Sequence, residues 1–201
     1  DSVASRGLGD VYKRQHMNAD YDTMKAALAN GAQNVTHLFN AMKPIHHRQP
    51  GPIVAALETP GLPVELIADG VHSHPATVKF VFDTKGRDTV LVTDAMAAAG
   101  SPDGDYLLGP LEVEVRDAVA RLKSNGAIAG STLTLSRAIR FATYTSGVDI
   151  WLALHAATAR PAALLGRTDI GVLVPGAYAD LVVESSALQV QHVFRRGQQV
   201  R

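Results

Sequence analysis

The stretch VLVTDAMAAAG, residues 90–100, decides how the chain is read. Val90, Leu91, Val92 and Thr93 suit a buried strand and run directly into Asp94, after which come small residues and Gly100. A carboxylate next to a buried segment has to be hydrogen-bonded, paired with a cation or bound to a metal, because its desolvation is otherwise too costly. In folds built on parallel strands, the C-terminal strand end is also where catalytic groups are mounted.

Working outward, the same order of strand, site residue and helix recurs. NADYDTMKAALANGA (18–32) reads as a helix with Asn18 as cap, Asp20 and Asp22 in its first turn and Gly31 as its stop. NVTHLF (34–39) follows as a strand, and GPIVAALETPG (51–61) as a helix that ends before Pro60. PVELIADG (63–70) is a strand running to Asp69, PATVKFVFDTKG (75–86) a helix with Pro75 in its first turn, and DTVLVTDA (88–95) the next strand. Strands alternating with helices of this length imply βαβ units and a parallel sheet.

Beyond Asp94 the pattern changes. Residues 101–131 are turn-rich with short strand-like runs and read as a long excursion at a site-facing end. TLTLSRAIRFATYTSG (132–147) and DIWLALHAATARPAALLG (149–166) read as two helices, and 168–200 as short β-runs broken by Gly171, Pro175, Gly176 and Gly197. Residues 1–15, DSVASRGLGDVYKRQ, have neither periodicity and read as a foreign leader joined to His16.

Composition narrows the function. Apolar residues make up 46% of the 201-residue chain and charged ones 19%, with 19 basic against 19 acidic residues, so neither nucleic acid nor an anionic membrane is implied as a partner. No cysteine is present, which leaves His, Asp and Glu as the ligands for any metal. No apolar run reaches the roughly 18 residues of a membrane span, and the expected setting is cytoplasmic. At 201 residues the chain is short for a complete (β/α)8 barrel of about 250 residues.

His37, His72 and Asp94 fall at the ends of predicted strands, and His16 sits just before the first helix. In one parallel barrel all of them face one rim. Imidazoles converging with a carboxylate are what a hydrolytic metal site needs: the imidazoles hold the ion, one position stays open for water and the carboxylate takes the proton. Each also has a plainer reading. A single His near a strand end is more often structural, Asp94 could cap a turn, Asp69 before Gly70 suits a turn, and His46, His47 and Arg48 make a solvated loop. His74, His155 and His192 are read as structural. The joint placement at strand ends favours a site.

THLFNAM (36–42), HRQPG (47–51), IADGVH (67–72), LVTDAMAAAG (91–100) and AIAGSTLT (127–134), in this order and spacing, resemble the N-acetylglucosamine-6-phosphate deacetylases of the amidohydrolase superfamily. The resemblance covers about residues 16–200. It implies a partial metal-dependent-hydrolase (β/α)8 TIM barrel over 16–168, holding the later strands and helices, with 169–201 supplying the C-terminal strands of a small β-sandwich domain. It further implies a divalent cation, Zn²⁺ or else Fe, Co or Mn, on His16 and His37, with Asp94 as general base and acid. His72 would meet the acetyl carbonyl, Asn40 and Ala41 would contact the substrate, and Arg48 would pair with the sugar phosphate. Asp69, Gly70, Val71 and His72, together with Ile128, Ala129 and Gly130, would line the sugar pocket. The implied partners are a phosphorylated amino sugar and a second copy of the chain in a homodimer.

The family also takes a glutamate ligand from an earlier strand, which has no counterpart here, and Met17 stands where a small polar residue is usual. The chain is therefore expected to be the C-terminal portion of such an enzyme and inactive alone. Two rivals stand beside this reading: another amidohydrolase, such as a cyclic amidase or deaminase, and a non-catalytic barrel fragment.

Overall fold

A computed structural model describes residues 13–14 and 19–201; the leader outside Lys13 and Arg14, together with His16, Met17 and Asn18, lies outside the described residues. Four parallel strands, β1 (Lys13–Arg14), β2 (Asn34–Val35), β3 (Val64–Leu66) and β4 (Thr89–Leu91), lie side by side in chain order. Val35 pairs with Val64, and Val64 with Thr89. A parallel bridge between Ala95 and Ser131 carries the pairing one step beyond β4. Among the described residues these strands do not close on themselves, so the sheet is an open arc of α/β units.

Helix α1 (Tyr21–Ala29) joins β1 to β2, α2 (Gly51–Glu58) joins β2 to β3, and α3 (Pro75–Lys85) joins β3 to β4. Each has a local cause. Asp20, expected inside the first turn of α1, is its N-cap instead, accepting from Thr23 N at 2.8 Å; a carboxylate there satisfies one of the helix's orphan donors. His74 caps α3 through Nδ1, which accepts from Ala76 N at 3.1 Å, and Pro75 follows at the first helical position, where no N–H is needed. The Lys85 ammonium is buried and donates to Thr59 O at 2.6 Å, covering the carbonyl end of α2; burial pushes its pKa down.

The core under the sheet is aliphatic. Met24 from α1, Val35, Val64 and Leu66 from the strands, and Val78 and Val81 from α3 are fully enclosed. Strands buried on both faces need no alternation, which fits the all-buried pattern of β3 and β4.

Three expectations change. The strand anticipated over 34–39 stops at Val35, because His37, Phe39 and Ala41 all take positive φ (33°, 76° and 51°). The excursion after Asp94 is a regular antiparallel meander, β5 (Gly104–Leu108), β6 (Leu111–Arg116) and β7 (Val119–Leu122), with its own small core of Met96, Val113, Val115 and Ala120. The last two expected helices are each broken. α4 (Leu135–Arg140) passes into a π turn over Phe141–Thr145, and α5 (Ile150–Ala157) is separated from α6 (Ala159–Leu164) by a bend at Thr158. Pro161 explains the second break: its ring would clash with the carbonyl four residues earlier and it has no N–H to give a continuous helix. The tail forms a three-stranded antiparallel sheet, β8 (Leu181–Glu184), β9 (Val190–Arg195) and β10 (Gln198–Gln199), anchored to the main core through Leu188.

Candidate functional site

The site is built at the C-terminal ends of β2, β3 and β4. After β3 the chain runs through buried Ile67 and Ala68 to Asp69, then reverses at Gly70, whose φ is 81°. Asp69 closes this turn by its own side chain: Oδ1 accepts from Val71 N at 2.8 Å and from His72 N at 2.7 Å. Its other oxygen, Oδ2, lies 2.7 Å from His72 Nδ1, and the two side chains are only 8% and 7% exposed. Burial works to raise the Asp69 pKa. The His72 contact and the two backbone N–H groups outweigh it and hold the carboxyl below its ordinary value.

The turn is backed by an aromatic ring. A Cβ on Gly70 would sit 3.0 Å and 3.2 Å from Phe141 Cε2 and Cζ, so the ring occupies the space a side chain would need. Phe141 opens the π turn, and π turns inside helices are frequent at functional sites.

A cavity of about 200 Å³ adjoins this turn. Its walls include Asp69, Val71 and His72 on one side and Ile128, Gly130 and Thr132 on another, so it joins two of the segments singled out in the sequence. The third wall was not anticipated: it consists of Asp117 to Ala120 at the β6–β7 turn, and Arg137 from α4. Asp117 and Ala118 both have positive φ (51° and 60°) and make a two-residue hairpin turn. Asp103 holds that turn by accepting from Asp117 N at 2.6 Å and Ala118 N at 3.2 Å, and the Thr132 hydroxyl donates to Ala118 O at 2.6 Å. The alternation of Leu111, Val113 and Val115 was the sequence signal for this wall; nothing in the sequence marked Arg137.

The other expected residues among those described are not in the walls of this cavity. Asp94 is exposed, with φ 50°, and its backbone O accepts from Ser131 N at 2.8 Å while the Ser131 hydroxyl donates to Thr93 O. Those bonds fix where the carboxylate emerges. Gly130 packs against the same peptide; a Cβ there would meet Asp94 O at 3.2 Å. Ala129 is buried, and its N–H donates to Ala120 O at 3.1 Å.

His37 is buried just past β2. The Asn40 side chain turns back to it, Nδ2 donating to His37 O and Leu38 O at 3.3 Å each, and so serves the loop's own closure. Ala41 is exposed. Arg48 lies on an exposed hairpin bridged by His46 and Gln49, its guanidinium 2.7 Å from His47 Nε2. His16 lies outside the described residues. Among the described residues no group of three or more His, Asp or Glu side chains is placed to hold a metal ion, so they do not by themselves make up the expected donor set.

The sequence pattern of the amidohydrolase family matches residues 14–200. The chain belongs to the amidohydrolase family. Within it, the chain is 41% identical over 186 residues to an N-acetylglucosamine-6-phosphate deacetylase of Vibrio furnissii, covering 92% of this chain and 46% of that one. It is 42% identical over 163 residues to a putative N-acetylgalactosamine-6-phosphate deacetylase of Escherichia coli K12, covering 81% of this chain and 97% of that one. Among solved structures, it matches a mutant N-acetyl-D-glucosamine-6-phosphate deacetylase of Mycobacterium smegmatis in complex with N-acetyl-D-glucosamine-6-phosphate. That match has a TM-score of 0.90 and 44% identity, over 94% of this chain and 50% of that one. The chain thus spans about half the length of most of the curated relatives it matches. No helix among the described residues is long and apolar enough to cross a membrane.

Proposed function

We propose that this amidohydrolase serves the hydrolysis of the N-acetyl amide of N-acetylglucosamine 6-phosphate, giving glucosamine 6-phosphate and acetate in a cytoplasmic setting. The observation that carries this reading is the agreement, at a TM-score of 0.90 and 44% identity, with a deacetylase solved with that sugar phosphate. In this assignment residues 16–168 belong to the catalytic barrel and 169–201 to a second, small β-domain, within a homodimer. On this reading the 201 residues alone do not turn over substrate.

Asp94 takes the proton from the attacking water as the water oxygen bonds to the acetyl carbon. It then gives that proton to the departing nitrogen as the C–N bond breaks, so one carboxylate serves as base and then acid. His72 faces the acetyl carbonyl, and residues 69–72 and 128–130 wall the sugar. Asn40 and Ala41 touch the substrate, and Arg48 pairs with its phosphate, a planar donor against a tetrahedral dianion. His37 and His16 are the imidazoles assigned to a divalent cation, Zn²⁺ or Fe, Co or Mn in its place.

The test replaces the matching half of the mycobacterial deacetylase with residues 19–201 of this chain and follows acetate release. The hybrid should hydrolyse the phosphorylated sugar at least ~10-fold better in kcat/KM than the unphosphorylated one, since a charge-assisted contact contributes roughly 1.5–3 kcal/mol. Asp94→Asn should lower kcat by about 10²–10⁴-fold. A folded hybrid indifferent to the phosphate, or to Asp94→Asn, refutes the assignment. The C4 epimer belongs in the same assay, because one relative is described as acting on the galactosamine sugar.

A further inference from the structure

The Asp69 carboxylate has little left to offer a sugar. One oxygen is occupied by two backbone N–H groups and the other by His72 Nδ1, and only 8% of the side chain is exposed. An ionised carboxylate accepts hydrogen bonds and cannot donate them, so the proton of the 2.7 Å contact must sit on His72 Nδ1. That leaves Nε2 as the ring nitrogen free to face the cavity, whose walls include both residues. The same carboxylate fixes the backbone that carries the imidazole, so ring orientation and tautomer are set by one group.

We propose that Asp69 is a positioning residue for His72, locking the imidazole as the Nδ1–H form with Nε2 directed at the substrate's acetyl group, rather than a sugar-binding residue. The proposal rests on the reading of His72 as a group that meets substrate. Charged groups on neighbouring elements share the cavity wall: Asp117 at the β6–β7 turn and Arg137 on α4. They line the same cavity as an imidazole whose Nδ1 edge is already closed off by Asp69.

The test uses the whole 201-residue chain and long-range nitrogen–proton correlation of its histidines, at a pH well above the ordinary imidazole pKa of about 6.5. His72→Gln identifies the His72 signals. In the parent chain His72 should be at least ten-fold enriched in the Nδ1–H form, against the Nε2–H preference of free imidazole. Asp69→Asn is the discriminating variant. The amide oxygen can still accept from Val71 N and His72 N, but the amide NH2 donates toward Nδ1 and should invert the tautomer. An Nε2–H form in the parent chain overturns the proposal, and so does an unchanged tautomer in folded Asp69→Asn. The parent measurement stands even if the variant does not fold. Because no turnover is read, an Nδ1–H result beside an inactive hybrid would reject the deacetylase assignment and leave the role of Asp69 intact.

Discussion

Substituting Gly70 by alanine isolates the contact that sets the geometry of the site. Two costs add. Gly70 has φ 81°, and a left-handed conformation costs an L-residue roughly 1–2 kcal/mol. The new Cβ would also lie 3.0 Å and 3.2 Å from the Phe141 ring, closer than carbon atoms pack, and overpacking of this kind costs about 1–3 kcal/mol. The sum is about 3 kcal/mol, which at a urea slope of roughly 2 kcal/mol/M lowers the unfolding midpoint by ~1.5 M. The two parts separate in a double-mutant cycle with Phe141→Leu, which removes the ring edge and leaves the backbone cost untouched. In the Phe141→Leu background the alanine should therefore cost only about 1–2 kcal/mol, a coupling of at least ~1 kcal/mol. Urea unfolding of the four proteins gives every leg. If Gly70→Ala costs under ~1 kcal/mol, or the cycle shows no coupling, the Phe141 ring is not what backs the turn.

Other perturbations follow from the same geometry. Ala118→Gly should raise the thermal midpoint, by up to about 1 kcal/mol of stability, because φ 60° strains alanine and suits glycine; a fall would show that the turn is not strained. Gly171→Ala should be more damaging than Gly70→Ala, since its Cβ would lie 2.7 Å from Thr158 O at the bend before α6; the yield of folded protein reports it. Asp69 sets an acid limit. Its folded pKa lies below the ordinary value, so its stabilisation is complete above about pH 4 and is lost as pH falls through the folded value; Asp69→Asn should lower stability across the neutral region and flatten the profile below about pH 4, as urea unfolding against pH would show.

What the sequence disclosed follows from which physical signals are local. The helices α2 and α3 were readable because Gly, Pro and apolar spacing mark their ends within a few residues. The joining of 69–72 with 128–130 was readable only through the family resemblance, since two segments nearly sixty residues apart leave no periodic trace. The left-handed run after β2 was invisible because His37, Phe39 and Ala41 include no glycine to announce it. Arg137 was hidden for another reason: on the sequence it is one polar residue in the first turn of a helix, and only the meander folding over the rim makes it part of a cavity wall. The packing of the Phe141 ring against Gly70 likewise joins two positions far apart in sequence.

The backbone strain along the rim separates two uses of a left-handed residue. At Gly70 after β3 and Gly130 beside Asp94 the left-handed residue is glycine, and both are close-packed against a neighbour. After β2 and β4 the same conformation falls on His37 (φ 33°), Ala41 (φ 51°) and Asp94 (φ 50°), of which the aspartate and the histidine are residue types enriched there and the alanine is not. Replacing the exposed Ala41 or Asp94 by glycine would relieve up to about 1 kcal/mol of backbone strain, whereas the His37 side chain is buried and its packing offsets the strain. At the exposed Asp94 the backbone cost is not offset by burial, and this is the residue to which the proposed chemistry gives proton transfer. Phe39, at φ 76°, has a different account: it packs against the main core, and its side chain repays the backbone cost by burial.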